Sequence, residues 1–372
     1  MNGKKWIRTW FIIIIIIPTV GVFNYLIDPY GMNNFVKINR VNKEKTGNTG
    51  YTYRFKTNIV RNYKFDTLML GTSRVGVMNP EVVNKYTNGN TFNFEVPGSI
   101  TEQQYKLFLY TLKYNNIKTL VYGIDFMSFN ENRTIKNDFK EFYKLYNKID
   151  NKQEISNYDL YFNLKTFKES AIVLFKNILN KKSFEAKYLF KNGMRDYINH
   201  TEALKNGTFE IDKRIESSIK SYFKENTGTY KNYKFSYEYL KYFKKTIDYC
   251  RNNNIKVLVY IPPMYSAHFD AFNSAGYYDE FELFKKELVQ ITNYVDFTGH
   301  NTITENKNNY WDSSHLRKEL TEVVMAKLFN DNLIQVPVDF GVYITKDNID
   351  NHLENLKEQI QNYDLNKIRP CK

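Results

Sequence analysis

Three residues in this chain have the types and setting for nucleophilic chemistry: Ser73, Asp312 and His315. Ser73 lies in Phe65 to Pro80, Phe-Asp-Thr-Leu-Met-Leu-Gly-Thr-Ser-Arg-Val-Gly-Val-Met-Asn-Pro. Asp66 to Leu70 is a mostly apolar run that reads as a buried strand, and Gly71 ends it. Pro80 opens a helix-like pattern. A serine between a strand's carboxyl end and a helix stands where open α/β sheets bind ligands, and backbone N–H groups at such a turn can hold an anion. The alternative is an ordinary loop serine that satisfies a backbone bond. A second stretch, Tyr310-Trp311-Asp312-Ser313-Ser314-His315-Leu316, precedes a helical pattern. Asp three residues before His lets one turn carry a carboxylate and an imidazole. A serine hydroxyl is a poor nucleophile until a base takes its proton, and that base needs a third group to hold its tautomer. Ser73, Asp312 and His315 supply those roles in chain order Ser, Asp, His.

Gly71-Thr72-Ser73 with Asp312-x-x-His315 resembles the SGNH (GDSL-like) hydrolase superfamily, over roughly residues 60 to 130 and 237 to 330. The resemblance implies a flavodoxin-like α/β/α sandwich with the serine after the first strand. It also implies an oxyanion hole built from the Ser73 N–H, the Gly98 N–H of a second block and a third-block asparagine. Asp125, in Gly123-Ile124-Asp125-Phe126, holds the asparagine's place. An ionised carboxylate would repel an oxyanion. So either Asp125 is turned away, pairing with Arg74, or backbone alone completes the hole. Thr72 also departs from the family's aspartate. Both departures weigh against a fast, general esterase and toward the acyltransferase branch. The long insert and apolar amino terminus look most like the branch that O-acetylates extracellular polysaccharides, such as the alginate O-acetyltransferase proteins. The D-alanine transfer protein of teichoic acid synthesis is a more distant cousin. The branch implies an acyl-serine intermediate, no cofactor, a polysaccharide acceptor and a membrane-bound O-acyltransferase partner as acyl donor.

These residues need a scaffold that brings distant segments together. Apolar runs at Asp66–Leu70, Asn90–Phe94, Lys118–Gly123, Ile255–Ile261 and Tyr294–Phe297 read as strands. Helical patterns over Gln103–Asn115, Tyr237–Asn252 and Tyr278–Asn293 alternate with them. That alternation predicts an α/β fold, a three-layer sandwich with a parallel five-stranded sheet. Right-handed crossovers would bring Ser73, Gly98, Asp125 and the Asp312–His315 loop to one edge. Pro262-Pro263 stops the fourth strand at that edge, so Tyr265 and His268 join Arg74 and Trp311 as candidate substrate-binding residues. Residues 129–235 interrupt the alternation with helical pieces such as Tyr158–Leu179. They read as a helical insertion, a lid or an acceptor-binding subdomain within a catalytic domain over 63–335. A tail over 336–372 carries one amphipathic helix, Ile349–Tyr363.

Residues 10–27 are almost unbroken apolar sequence, and with the stretch back to Trp6 they are long enough for a bilayer span. Lys4, Lys5 and Arg8 precede them, which favours a cytoplasmic amino terminus and an extracellular remainder. The region 1–28 reads as an uncleaved anchor rather than a cleaved signal or a core helix. Residues 29–62, rich in Asn, Lys and Gly, read as a stalk. The 372 residues carry a net charge of +13, with 31 Tyr and 28 Phe. That charge suits an anionic membrane or wall polymer, or is simply a solvated surface. An exported location argues against nucleic acid. Cys250 and Cys371 give no metal spacing, and the five histidines form no zinc pattern. The readings that remain are an exported O-acyltransferase, an esterase using the same triad, and a non-catalytic scaffold of a polysaccharide export complex.

Overall fold

The computed structural model describes residues 3–33, 37–133, 143, 158–181, 187–189 and 191–364. Parts of the expected stalk (34–36), insertion (134–142, 144–157, 182–186 and 190) and tail (365–372) lie outside the described residues. The chain divides into two compact units. One is Met1–Asn58, Asn137–Phe190 and Asp196–Thr201. The other is Ile59–Lys136, Lys191–Arg195 and Glu202–Lys372.

In the first unit, Gly3–Ile27 is one helix. Its stretch Lys5–Ile27, 23 residues containing an 18-residue window of mean hydropathy 2.3, is long and apolar enough to cross a membrane. Ile12 to Ile17 are exposed around the whole helix rather than packed along one stripe. Just past it, residues of the expected stalk fold back. Asp28 accepts the Met32 N–H at 2.7 Å, the Lys45 ammonium donates to the Ile27 carbonyl at 2.8 Å, and the Thr46 N–H donates to the Pro29 carbonyl at 2.9 Å. The periodicity seen over Tyr158–Leu179 becomes two helices, Tyr158–Tyr161 and Leu164–Ile178.

The second unit is built on a six-stranded sheet. Its strands are β1 (Thr67–Leu70), β2 (Thr91–Asn93), β3 (Thr119–Gly123), β4 (Lys256–Ile261), β5 (Tyr294–Asp296) and β6 (Val342–Ile344), in the order β2-β1-β3-β4-β5-β6. The first five are parallel. The expectation of five strands is corrected to six, because the tail adds β6 antiparallel to β5. Only Ile344 of β6 is buried, while Val342 and Tyr343 face outward. Its three residues therefore carry no two-faced apolar signal. β1 and β3 are buried throughout, as strands covered on both faces must be.

Helices Thr101–Tyr114 and Tyr237–Asn252 pack together through Tyr105 on Tyr242 and Phe108 on Tyr249. Ser236 caps the second by accepting the Tyr239 N–H. The tail helix, Ile349–Glu358, is tied to the sheet by a buried cluster. His352 Nε2 lies 2.9 Å from Asp296, and the Lys285 ammonium donates to Asp296 at 2.6 Å. Burial works against the Asp296 charge, but Lys285 and His352 hold the carboxyl far below its usual range.

Register matters most for the site. Leu70 pairs with Tyr122, Gly123 with Tyr260, and Ile261 with Asp296, so the carboxyl ends of these strands share one edge. The chain leaves β1 toward β2 on one side and later fills β3 on the other. The strand order therefore reverses at β1, and the crevice outside its carboxyl end is where such sheets place ligands.

Candidate active site

Gly71 ends β1 at φ +147°, and a Cβ there would collide with the Gly123 carbonyl and the Val75 side chain. The chain therefore turns next to β3 and starts the one-turn helix Ser73–Gly76, capped by the Thr72 hydroxyl. Asn93, at the end of β2, donates to the Val75 and Met78 carbonyls and fixes the far side of the turn. Ser73 is thus presented at the sheet edge on a short, pinned segment.

The second half of the site is a loop. Tyr310 and Leu316 form an antiparallel bridge, and the Trp311 N–H donates to the His315 carbonyl at 2.8 Å. Inside it, Asp312 Oδ1 accepts the N–H groups of Ser314 at 2.7 Å and His315 at 2.9 Å. The helical structure that follows starts only at Lys318, with a 3-10 turn to Leu320 and an α-helix from Thr321. Asp312 and His315 therefore share a closed loop rather than a helix mouth.

The two halves meet. His315 Nε2 is 2.8 Å from Ser73 Oγ, and His315 Nδ1 is 2.8 Å from Asp312 Oδ2 and 3.0 Å from Oδ1. Burial opposes ionisation of Asp312. The neighbouring imidazole and the two backbone N–H donors outweigh it and bring the carboxyl down to about 2. It is therefore an anion at neutral pH, able to accept Nδ1–H and leave Nε2 as the acceptor facing the serine.

Asp125 is turned away from this center. Its carboxylate accepts the Thr72 hydroxyl at 2.8 Å and the Arg74 Nη1 at 3.0 Å. Both members of that ion pair are almost wholly buried. The N–H groups of Ser73 and Gly98 donate to no acceptor among the described residues. The loop carrying Gly98 is held beside the serine turn, since the Gly71 carbonyl accepts the Val96 N–H at 3.0 Å. Gly98 has φ +64°, and a Cβ there would stand 2.6 Å from Arg133 Nη2. The Arg133 guanidinium thus lies beside Gly98.

The substrate-binding candidates fare differently. Arg74 and His268, 1% and 0% exposed, lie in a buried network and do not face solvent. Arg74 Nε donates to Ser314 Oγ at 2.7 Å, and its Nη2 lies 3.3 Å from His268 Nε2. Burial and the Arg74 charge push the His268 imidazole well below its ordinary range, so it is neutral. With Nε2 facing the guanidinium donor, its Nδ1–H donates to Ser313 Oγ at 2.9 Å. Trp311 is buried under Phe209 and the Arg317 guanidinium. Tyr265 is half-buried, packed on Tyr310. These placements share one cause. The residues next to a triad must first hold its loops, and long polar side chains do so when buried with partners.

The sequence reading missed several supports. Ser313 and Ser314, both buried, sit between Asp312 and His315 and tie the loop down. Ser314 Oγ lies 2.9 Å from the Tyr222 hydroxyl, and Ser313 donates to Ser218 at 2.9 Å. Their position inside the Asp-x-x-His spacing was the available signal; Tyr222 and Ser218 offered none. The helix that bears them, Ile211–Phe223, also walls an open cleft of about 530 Å³. Lys213, Arg214, Ser217 and Ser221 line it, and it reaches His315 and Asp312. A larger groove of about 1450 Å³, beside Val257–Val259 and residues 289–295, contains none of the triad residues. No group of acidic, histidine or cysteine side chains suited to a metal occurs among the described residues.

A scan against protein-family models finds no match, and a search of curated proteins finds none either.

Proposed function

We propose that this chain is an exported, membrane-anchored serine O-acyltransferase of SGNH type that acylates, most simply acetylates, a cell-envelope polysaccharide. The observation that carries the reading is the unbroken Ser73–His315–Asp312 relay at hydrogen-bond distances, with two unengaged N–H donors beside it. The strand order β2-β1-β3-β4-β5 is that of a flavodoxin-like sandwich, which the resemblance also implies. Lys4, Lys5 and Arg8 ahead of the apolar helix favour a cytoplasmic amino terminus and an extracellular catalytic unit.

In the proposed chemistry, Ser73 Oγ attacks the acyl carbonyl of a donor ester as its proton passes to His315 Nε2. Asp312 offsets the imidazolium charge. The Ser73 and Gly98 N–H groups hold the oxyanion, with the Arg133 cation alongside. Collapse breaks the donor's C–O bond, His315 protonates the departing oxygen, and an acyl-serine remains. A sugar hydroxyl then gives its proton to His315 and takes the acyl group, restoring Ser73. A general base contributes about 10²–10⁴-fold and an oxyanion donor about 10²–10³-fold. The acyl donor is a membrane-bound O-acyltransferase partner that passes the group across the bilayer. The hydroxyl- and cation-lined cleft suits a polyhydroxylated acceptor. It is also open to water, which favours deacylation by hydrolysis as a second reading.

The test uses the full chain in detergent with a chromogenic acetyl ester, with and without a glycan acceptor. Acyl transfer to the glycan supports the proposal, and acetate release alone supports the esterase. Silence from a folded protein, or a rate unchanged in Ser73→Ala, overturns both.

A further inference from the structure

Helix Leu164–Ile178 is built inside out for a water-soluble protein. The face turned toward its own unit carries Thr166, Ser170, Val173 and Asn177, all buried and mostly polar. Two of these side chains are engaged: Ser170 donates to Asn24 Oδ1 at 2.8 Å, and Asn177 donates to the Glu44 carbonyl at 2.8 Å. The opposite stripe, at helical spacing, is Leu164, Phe167, Ala171, Phe175 and Ile178. Phe175 is 63% exposed and Ile178 57%. Lys165 and Lys168 lie along one flank of that stripe. A soluble helix turns its apolar face inward. A helix that turns it outward, with lysines beside it, has the makeup of one lying in a lipid headgroup boundary.

The neighbour says what covers this face. Phe167 packs on Phe23 of the span-length N-terminal helix, with ring centroids 5.4 Å apart, and Tyr161 packs on Tyr25 at 5.2 Å. The exposed stripe is therefore continuous with the exposed apolar surface of that helix near its carboxyl end. Asn24, buried in the same contact, donates to the Tyr161 carbonyl at 2.6 Å. A polar residue inside an apolar span is expensive unless satisfied, and this contact satisfies it.

We propose that helix Leu164–Ile178 is a second membrane element, lying in the lipid interface against the end of the N-terminal span, with Phe175 and Ile178 in acyl chains. The flanking lysines would meet anionic headgroups. The proposal does not rest on the acyltransferase reading.

The test places a nitrobenzoxadiazole label on full-length protein in vesicles of phosphatidylethanolamine and phosphatidylglycerol. Phe175→Cys and Ile178→Cys carry it in a Cys371→Ser background, with buried Cys250 left in place and exposed Lys241→Cys as the aqueous reference. Both sites are exposed, so the substitutions spare the packing. At 175 and 178 the emission should shift to the blue, resist aqueous iodide severalfold better than the reference, and lose most of its intensity to doxyl-labelled lipid. Iodide access equal to the reference overturns the proposal. So does protection from both quenchers, which would put a protein rather than lipid on this face.

Discussion

Replacing Asp312 by asparagine tests the relay most sharply, because the loop dictates which way the new amide must point. Asp312 Oδ1 is fixed by the N–H groups of Ser314 and His315, at 2.7 and 2.9 Å. In Asp312→Asn those donors keep an oxygen in that place, which puts the amide nitrogen where Oδ2 now lies, 2.8 Å from His315 Nδ1. The amide then donates to Nδ1 across that shorter contact, the retained oxygen being 3.0 Å away, and this drives the ring proton to Nε2, facing Ser73 Oγ. His315 can no longer accept the serine proton, and the imidazolium loses its counterion. The same change in a serine protease lowers kcat about 10⁴-fold, or about 5.5 kcal/mol of barrier. The two retained backbone bonds should leave the fold nearly unchanged. Two assays follow: hydrolysis of a chromogenic acetyl ester at neutral pH, and nitrogen NMR of the imidazole, which should report Nδ1–H in the parent and Nε2–H in the variant. A loss under tenfold, or an unchanged tautomer, would refute the assignment of His315 as a base oriented by Asp312.

Other outcomes follow from the same geometry. Arg74→Met strands the buried Asp125 carboxylate and should cost roughly 3–5 kcal/mol in urea unfolding, whereas Arg74→Met with Asp125→Leu should recover most of it; equal loss in both variants would contradict the pairing. Gly98→Ala must accept φ +64° and displace Arg133, so it should lose about 1–2 kcal/mol of stability and up to about 10²-fold in ester turnover; parent-like turnover would remove Gly98 from the oxyanion site. The Asp312 carboxyl is lowered from 3.8 to about 2 in the folded chain. Its contribution, roughly 2 kcal/mol, is complete above pH 4 and lost as the pH falls through about 2. Unfolding of the parent and Asp312→Asn should therefore converge in that window, and a gap that persists below it would argue against the linkage.

The parallel sheet was legible because its strands are buried on both faces, so Asp66–Leu70 and Lys118–Gly123 are nearly continuous apolar runs between turn signals. Helix Tyr237–Asn252 was legible to its ends because Ser236 caps it and Asn253 closes it. β6 was not, since two of its three residues face outward and its place depends on β5 already being formed. The insertion hid more. Helix Ile211–Phe223 lies in a stretch read only as part of the insertion, yet Tyr222 on it reaches Ser314. Such a contact is set by tertiary docking and leaves no trace in local periodicity. Helix Leu164–Ile178 misleads differently, for its apolar stripe predicts a buried face and the structure turns that stripe outward.

In the site, the three residues that meet, Ser73, His315 and Asp312, could be read from residue type and order, whereas the partners of the residues around them could not. Arg74 follows the serine and Asp125 stands at a strand end, so each invites an assignment to substrate or oxyanion. Neither position alone distinguishes a charge that meets a ligand from one that meets another side chain. The distinction lies in their common burial. Arg74 at 1% exposure and Asp125 at 0% would each be intolerable alone, and together they form a neutral, hydrogen-bonded pair under the serine turn. The carboxylate therefore need not weaken the proposed oxyanion hole, because its charge is already matched by the guanidinium and its oxygens are turned to Thr72 and Arg74. Thr72, Arg74 and Asp125 thus make one structural unit. Arg74 carries its rigidity to Ser314, and so to the loop that presents His315.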